Sequence, residues 1–139
     1  MVRVLATGTF DILHPGHLLY LSEAKALGDE LYVIVARDSM VKHKPKPIVP
    51  ERQRLAMVQA LRMVDRAVLG SENDMFEPLR NIKPDIIALG KNQHFNEKEL
   101  EAQLKAHGIT ATVARIRAFE PCELCSSAAI IRRILKRNG

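Results

Sequence analysis

The sequence predicts an α/β domain: an open sheet of about five parallel strands with helices on both faces. Three observations carry that expectation. Short apolar, β-branched runs recur at 2–7, 31–36, 64–69, 84–89 and 110–116. Their centres are continuously apolar rather than strictly alternating, with charged residues such as Arg3, Asp65 and Asp85 near their starts, as suits strands covered on both faces. Segments of helical spacing separate them, and a strand–helix–strand rhythm calls for right-handed crossovers and hence parallel pairing. At 139 residues the whole chain, 1–139, fits a single domain with one sizeable core.

The opening run breaks at Gly8, and Pro15-Gly16 punctuates the loop that follows. A helical pattern then begins at His17, with Leu18, Leu21 and Ala24 three apart and Gly28 as its stop. A strand, a loop and a helix N-terminus make a ready anion site, because free backbone N–H groups and the helix dipole point the same way. The loop is neither GxxxxGK[ST] nor GxGxxG. It carries instead His14 and His17, three apart and flanking Pro-Gly. Two imidazoles so spaced can donate to phosphoryl oxygens above the helix. Loop histidines bonded to backbone, or half of a metal site, are the alternatives that spacing leaves open.

The second strand ends at Arg37-Asp38, delivering Asp38 to the carboxyl rim where open α/β sheets bind ligands. Asp38 reads equally as a turn cap. Residues 41–50 form a basic loop stiffened by proline, with Lys42, Lys44 and Lys46. A lysine there can neutralise triphosphate charge as a point cation, although charge runs also occur as plain solvated loops. Pro50 and Glu51 suit the start of a helix that runs to about Arg62 with Leu55, Val58 and Leu61 inward. A short helix is expected over 74–81. Asn96, with Glu99 three later, caps the next, and Gly108 stops it. Ser126 or Ser127 caps a last helix whose apolar stripe is Ile130, Ile131, Ile134 and Leu135.

Bulk properties narrow the function. No run of 18 apolar residues is present, the first strand begins at once, and the expectation is a cytoplasmic protein off the membrane. The net charge is +5, but aromatic residues are scarce and basic residues are interleaved with acidic ones. A phosphate-rich small substrate accounts for that excess better than nucleic acid does. Cys122 and Cys125 are the only cysteines, two short of a usual structural zinc set and too late in the chain for a thioredoxin arrangement. They lie just before Ser126, where a helix N-terminus favours thiol reactivity, so they are read as redox-sensitive; inert, part-buried thiols are the alternative. Phe119 is an aromatic in an otherwise polar loop, either a platform for a base or a plug over the core edge.

Gly8-Thr9-Phe10-Asp11 followed by His14-Pro15-Gly16-His17 resembles the HxGH signature of the nucleotidyltransferase superfamily, in its cytidylyltransferase-like branch with a Rossmann-like sheet. The resemblance implies transfer of a nucleoside monophosphate from an NTP to an acceptor phosphate, releasing pyrophosphate. It extends over nearly the whole chain. Residues 33–38, 87–90 with Gln93-His94-Phe95, and 122–127 look most like archaeal FAD synthases, which transfer AMP from ATP to FMN. One departure is Lys91-Asn92, where those enzymes more often have Tyr-Asp; it keeps hydrogen-bonding reach and loses a charge.

What the resemblance implies for residues is specific. His14 and His17 are catalytic at the α-phosphate, and Lys46 joins them because it keeps a Lys-to-Arg54 spacing seen in glycerol-3-phosphate cytidylyltransferases, with Lys44 in reserve. The nucleotide side comprises Thr9, Phe10, Asp11, His14, Pro15, Gly16, His17, Asn92, Ser126 and Ser127, and the substrate side Asp38, Lys44 and Arg54; Phe119 joins the nucleotide set on its aromatic character alone. A divalent ion, Mg²⁺, bridges phosphate oxygens without a protein-built site. The partners are ATP and FMN, with FAD and pyrophosphate as products, and a homodimer is an open expectation. A CTP-dependent glycerol-3-phosphate cytidylyltransferase and a non-catalytic redox-sensing nucleotide binder are the competing readings.

Overall fold

Five strands form one sheet in the order β3-β2-β1-β4-β5, every neighbouring pair parallel. They are β1 (Arg3–Gly8), β2 (Glu30–Val35), β3 (Arg66–Leu69), β4 (Ile86–Leu89) and β5 (Thr112–Arg115). The helices are α1 (Pro15–Ala26), α2 (Glu51–Gln59), α3 (Glu77–Ile82), α4 (Glu97–Ala106) and α5 (Ser127–Asn138). In this computed structural model the described residues are 1–41, 46–91, 93, 95–117 and 122–138. The expectations placed on Lys44, Asn92 and Phe119 lie outside them.

Strand alternation sorts the apolar residues into two cores. Val4 and Ala6 of β1 face α1 and α2, packing with Leu21, Ala24, Val33, Val35 and Val58. Leu5 points the other way and packs with Ile34, Ile87, Leu89, Leu79 and Leu104 under α3 and α4. Because both faces are covered, the strands need no polar alternation, and the sequence shows none. The chain lays β2 and β3 on one side of β1 and β4 and β5 on the other. That reversal opens a crevice at the carboxyl end of β1, where ligands bind in open α/β sheets. The histidine loop leaves β1 at this point.

Several predicted boundaries shift for local reasons. α1 starts at Pro15 rather than His17, with His14 as its cap. It ends at Ala26, but Gly28 is still required, since a Cβ there would lie 2.8 Å from the Val2 carbonyl oxygen. α2 stops at Gln59 rather than near Arg62. α3 is shorter than expected because Asp74 bonds the Phe76 amide and turns the chain, and Lys83, at φ 55°, caps it in the left-handed region. The last helix, α5, is the least covered. Ile134 and Leu135, in the expected apolar stripe, are 51% and 65% exposed. Ser127 in its first turn ties the helix to the histidine loop, Ile130 and Ile131 are half-buried, and the exposed apolar residues lie beyond them.

Candidate active site

The histidine loop is held in shape by its own side chains. His14 Nδ1 accepts the Gly16 amide at 3.1 Å, and His17 Nδ1 accepts the His14 amide at 3.3 Å. This is a reciprocal capping box made from two imidazoles, and it satisfies amides that a helix start leaves without partners. The chemical consequence is a fixed tautomer. A ring that accepts at Nδ1 carries its proton on Nε2. Both histidines thus offer an Nε2–H donor, and the rings stack with centroids 3.8 Å apart. Burial holds the His14 imidazole below its ordinary range, which favours the neutral, donor-bearing form.

Phe10 supports this pair from below. It sits at φ 54°, which costs a non-glycine residue about 1–3 kcal/mol, so the surroundings must hold it there. Its ring is 3% exposed and lies 5.3 Å from that of His17. The ring tucks under Gly8, where a Cβ would come within 2.8 Å of it. Gly8 is therefore required by close approach. Tyr20, one turn into α1, donates to the Ala88 carbonyl at 2.6 Å and accepts the Thr7 amide at 3.2 Å, tying α1 to β1 and β4. Burial pushes its hydroxyl well above the ordinary tyrosine range, so it stays protonated and donating.

The N-terminus of α5 comes to the same loop. Ser127 Oγ accepts the Ile12 amide at 3.4 Å and donates to the Ile12 carbonyl at 3.2 Å. A Cβ on Gly16 would stand 3.1 Å from the Cys125 carbonyl oxygen. Ser126 Oγ accepts the Ala129 amide, making Ser126 the cap and Ser127 the link. The starts of α1 and α5 thus lie side by side, and their dipoles add positive potential over one spot. Cys122 and Cys125 are joined by a disulfide in the turn that feeds α5.

On the other flank the basic loop is clamped to the histidine loop. Asp11 accepts the Ile48 and Val49 amides at 3.0 and 2.9 Å, so this residue, expected at the nucleotide, spends both oxygens on the loop backbone. Lys46 Nζ donates to the Asp38 carbonyl at 3.1 Å, which sets its ammonium on the rim. Arg54 lies beneath. Its side chain is fully buried, and it donates to the carbonyls of Val49, Thr9 and Ala36 and to Asp38 Oδ1. Its place in the structure is thus a positioning one: one guanidinium joins the histidine loop, the β2 exit and the lysine loop. Asp38, 40% exposed, is its ion-pair partner and the first residue of a short 3₁₀ turn.

Sequence reasoning assigned no role to Gln93 or Arg115. Gln93 spans the β1 and β4 exits, donating to Thr7 and accepting the Gly90 amide at 2.7 Å. Arg115, opposite Leu89 in register, donates to the Gly90, Gln93 and Phe95 carbonyls and pairs with Glu97. An arginine ending an otherwise apolar strand was the available signal. Among the described residues no three His, Cys, Asp or Glu side chains stand together as a metal site. The donors around the histidine loop are N–H groups and a lysine, which suit an anion.

The comparisons agree with that chemistry. Residues 5–133 match the family model described as cytidylyltransferase-like. The chain is 63% identical over 139 residues to the FAD synthase of Methanosarcina barkeri, covering all of both chains. It is 64% identical over 138 residues to the FAD synthase of Methanothrix thermoacetophila, covering 99% of this chain and 96% of that one. Among solved structures, a Thermoplasma volcanium protein described as a lipopolysaccharide core biosynthesis protein superposes with TM-score 0.83 at 50% identity, covering 86% of this chain and 99% of that one. A pantoate-beta-alanine ligase from Francisella tularensis shares the fold alone, with TM-score 0.58 at 14% identity over 95% of this chain and 64% of the other. The chain belongs to the cytidylyltransferase-like family, in the company of the archaeal FAD synthases.

Proposed function

We propose that this protein is an FAD synthase, transferring AMP from ATP to FMN and releasing pyrophosphate. Full-length identity above 60% to curated FAD synthases supports the substrate pair. The observation that carries the mechanism is the pair of stacked imidazoles whose Nδ1 atoms both accept backbone amides, which puts the proton of each ring on Nε2. An oxygen of the FMN phosphate attacks the ATP α-phosphorus in line. The new P–O bond forms as the bond to the β-phosphate bridging oxygen breaks, and pyrophosphate leaves with that electron pair. A phosphomonoester, with a second pKa near about 6, is already mostly dianionic at neutral pH, so no strong general base is required.

Catalysis is then positioning and charge stabilisation. His14 and His17 donate to the α-phosphate as its charge develops, Lys46 neutralises the transferring or leaving phosphates, and the Ser126–Ser127 turn receives the pyrophosphate end. ATP enters with its Mg²⁺ as part of the substrate, and no step depends on a protein ligand to that ion. The test is a panel of ATP and CTP against FMN and glycerol 3-phosphate, following pyrophosphate under reducing conditions. FAD formed from ATP and FMN alone supports the reading; turnover with CTP and glycerol 3-phosphate instead overturns it. Nucleotide binding without pyrophosphate release would leave a redox-sensing binder.

A further inference from the structure

A cavity of about 190 Å³ opens at the carboxyl rim, on the face of the sheet covered by α3 and α4. Its floor is buried and aliphatic, with Leu5, Ile87 and Leu104. Its lining includes Met40, Met75 and Phe95, which are 38%, 48% and 42% exposed. These three come from the exits of β2, β3 and β4, so three separate loops converge large apolar side chains on one opening. Packing alone does not require that, whereas an apolar ligand does.

The polar groups on the wall are already engaged. Thr7 Oγ1 accepts Gln93 Nε2, Arg37 Nε donates to the Gly70 carbonyl, and Ser71 Oγ accepts the Asn73 and Asp74 amides. A purine buried here would have to leave its hydrogen-bonding edge without partners, which is costly. The dimethylbenzene half of an isoalloxazine has no such edge, and its pyrimidine half can remain at the mouth. Methionine sulfur and a phenyl ring also suit a flat aromatic guest. Location agrees: Thr7 leads directly into Gly8 and the histidine loop, and Ala36, also on the wall, donates its amide to the Gly8 carbonyl. A ring seated here carries its ribityl phosphate over the end of β1 toward His14 and His17.

We propose that this cavity seats the dimethylbenzene side of the FMN ring, making Met40, Met75 and Phe95 the residues that select the acceptor. The inference rests on the FAD synthase reading above. The experiment measures KM for FMN and for ATP in the full chain, in Met75→Asp and in Phe95→Ala, and the binding of lumiflavin, a ring without a phosphate, by fluorescence. Met75→Asp raises the FMN KM and weakens lumiflavin about tenfold, equivalent to about 1.4 kcal/mol, with the ATP KM within about twofold. Phe95→Ala shifts the same quantities in the same direction, and covers the case in which the aspartate variant melts early. An FMN KM unmoved in both variants overturns the pocket, and so does a rise confined to the ATP KM, which would make it an adenine site. If the wild-type protein forms no FAD, the pocket assignment falls together with the function. FAD formation with an unmoved FMN KM removes the pocket alone.

Discussion

Replacing Arg54 by methionine keeps the apolar stem and deletes the guanidinium that joins three loops. The magnitude follows from what is stranded. The carbonyls of Thr9, Ala36 and Val49 lose their donor, and Asp38 loses its cation. Asp38 is 40% exposed, so the ion pair itself is worth at most about 1 kcal/mol after solvent screening. The carbonyls dominate, since each buried acceptor left without a partner costs about 1–3 kcal/mol and water recovers part of it. A total loss of about 3–5 kcal/mol is expected, in line with removing one member of a buried polar network. For a domain of this size that lowers Tm by roughly 10–15 °C. Turnover falls as well, by about 10²-fold, because the histidine and lysine loops no longer share an anchor. Arg54→Lys recovers only part of each, as one ammonium cannot reach all four acceptors in the plane of a guanidinium. Thermal unfolding followed by circular dichroism, with kinetics below the transition, measures both. A Tm within about 2 °C of wild type in Arg54→Met, with turnover intact, would refute the positioning role.

Other expectations rest on single contacts. His17→Ala lowers kcat by about 10²-fold or more with little change in ATP affinity, as for loss of one preorganised donor, and an unchanged kcat would remove His17 from the mechanism. Lys46→Ala reduces kcat/KM more than Lys42→Ala; equal, small effects would return the lysine run to a solvated loop. His14 is held below its ordinary pKa of 6.5 by burial, so its contribution to stability is present above pH 6.5 and is lost as pH falls through the lowered native value. Urea unfolding across that range should show this acid-side loss in wild type and a flatter profile in His14→Gln. Reduction and alkylation of Cys122 and Cys125 depresses activity with the fold intact, and the double serine variant is insensitive to the reagent; full activity after stoichiometric modification would end the redox reading.

Much of the architecture was legible because apolar runs covered on both faces leave a plain signature. The order of the strands was less so, since periodicity does not say on which side of β1 the fourth strand will lie. At the site, sequence spacing posed a choice between histidines bonded to backbone and histidines facing phosphate. The two readings are chemically compatible: Nδ1 does the first, and the ring proton then sits on Nε2. Arg54 was visible as a residue but not as a keystone, because burial of an arginine depends on carbonyls contributed by residues 9, 36 and 49. The apolar stripe of α5 was legible as a pattern, but its exposure at Ile134 and Leu135 was not, for amphipathic spacing does not reveal whether anything lies opposite. The cavity beneath Met40 and Met75 escaped notice because its lining converges from separate loops.

The most direct test of the central claim is the stoichiometry of the reaction in purified protein. Incubated with ATP and FMN, the protein should yield FAD and pyrophosphate in equal amounts by chromatography and a coupled pyrophosphate assay, with no pyrophosphate when FMN is omitted. Pyrophosphate released without FMN, or FMN left unchanged while another nucleotide and acceptor turn over, would contradict direct adenylyl transfer to the flavin phosphate.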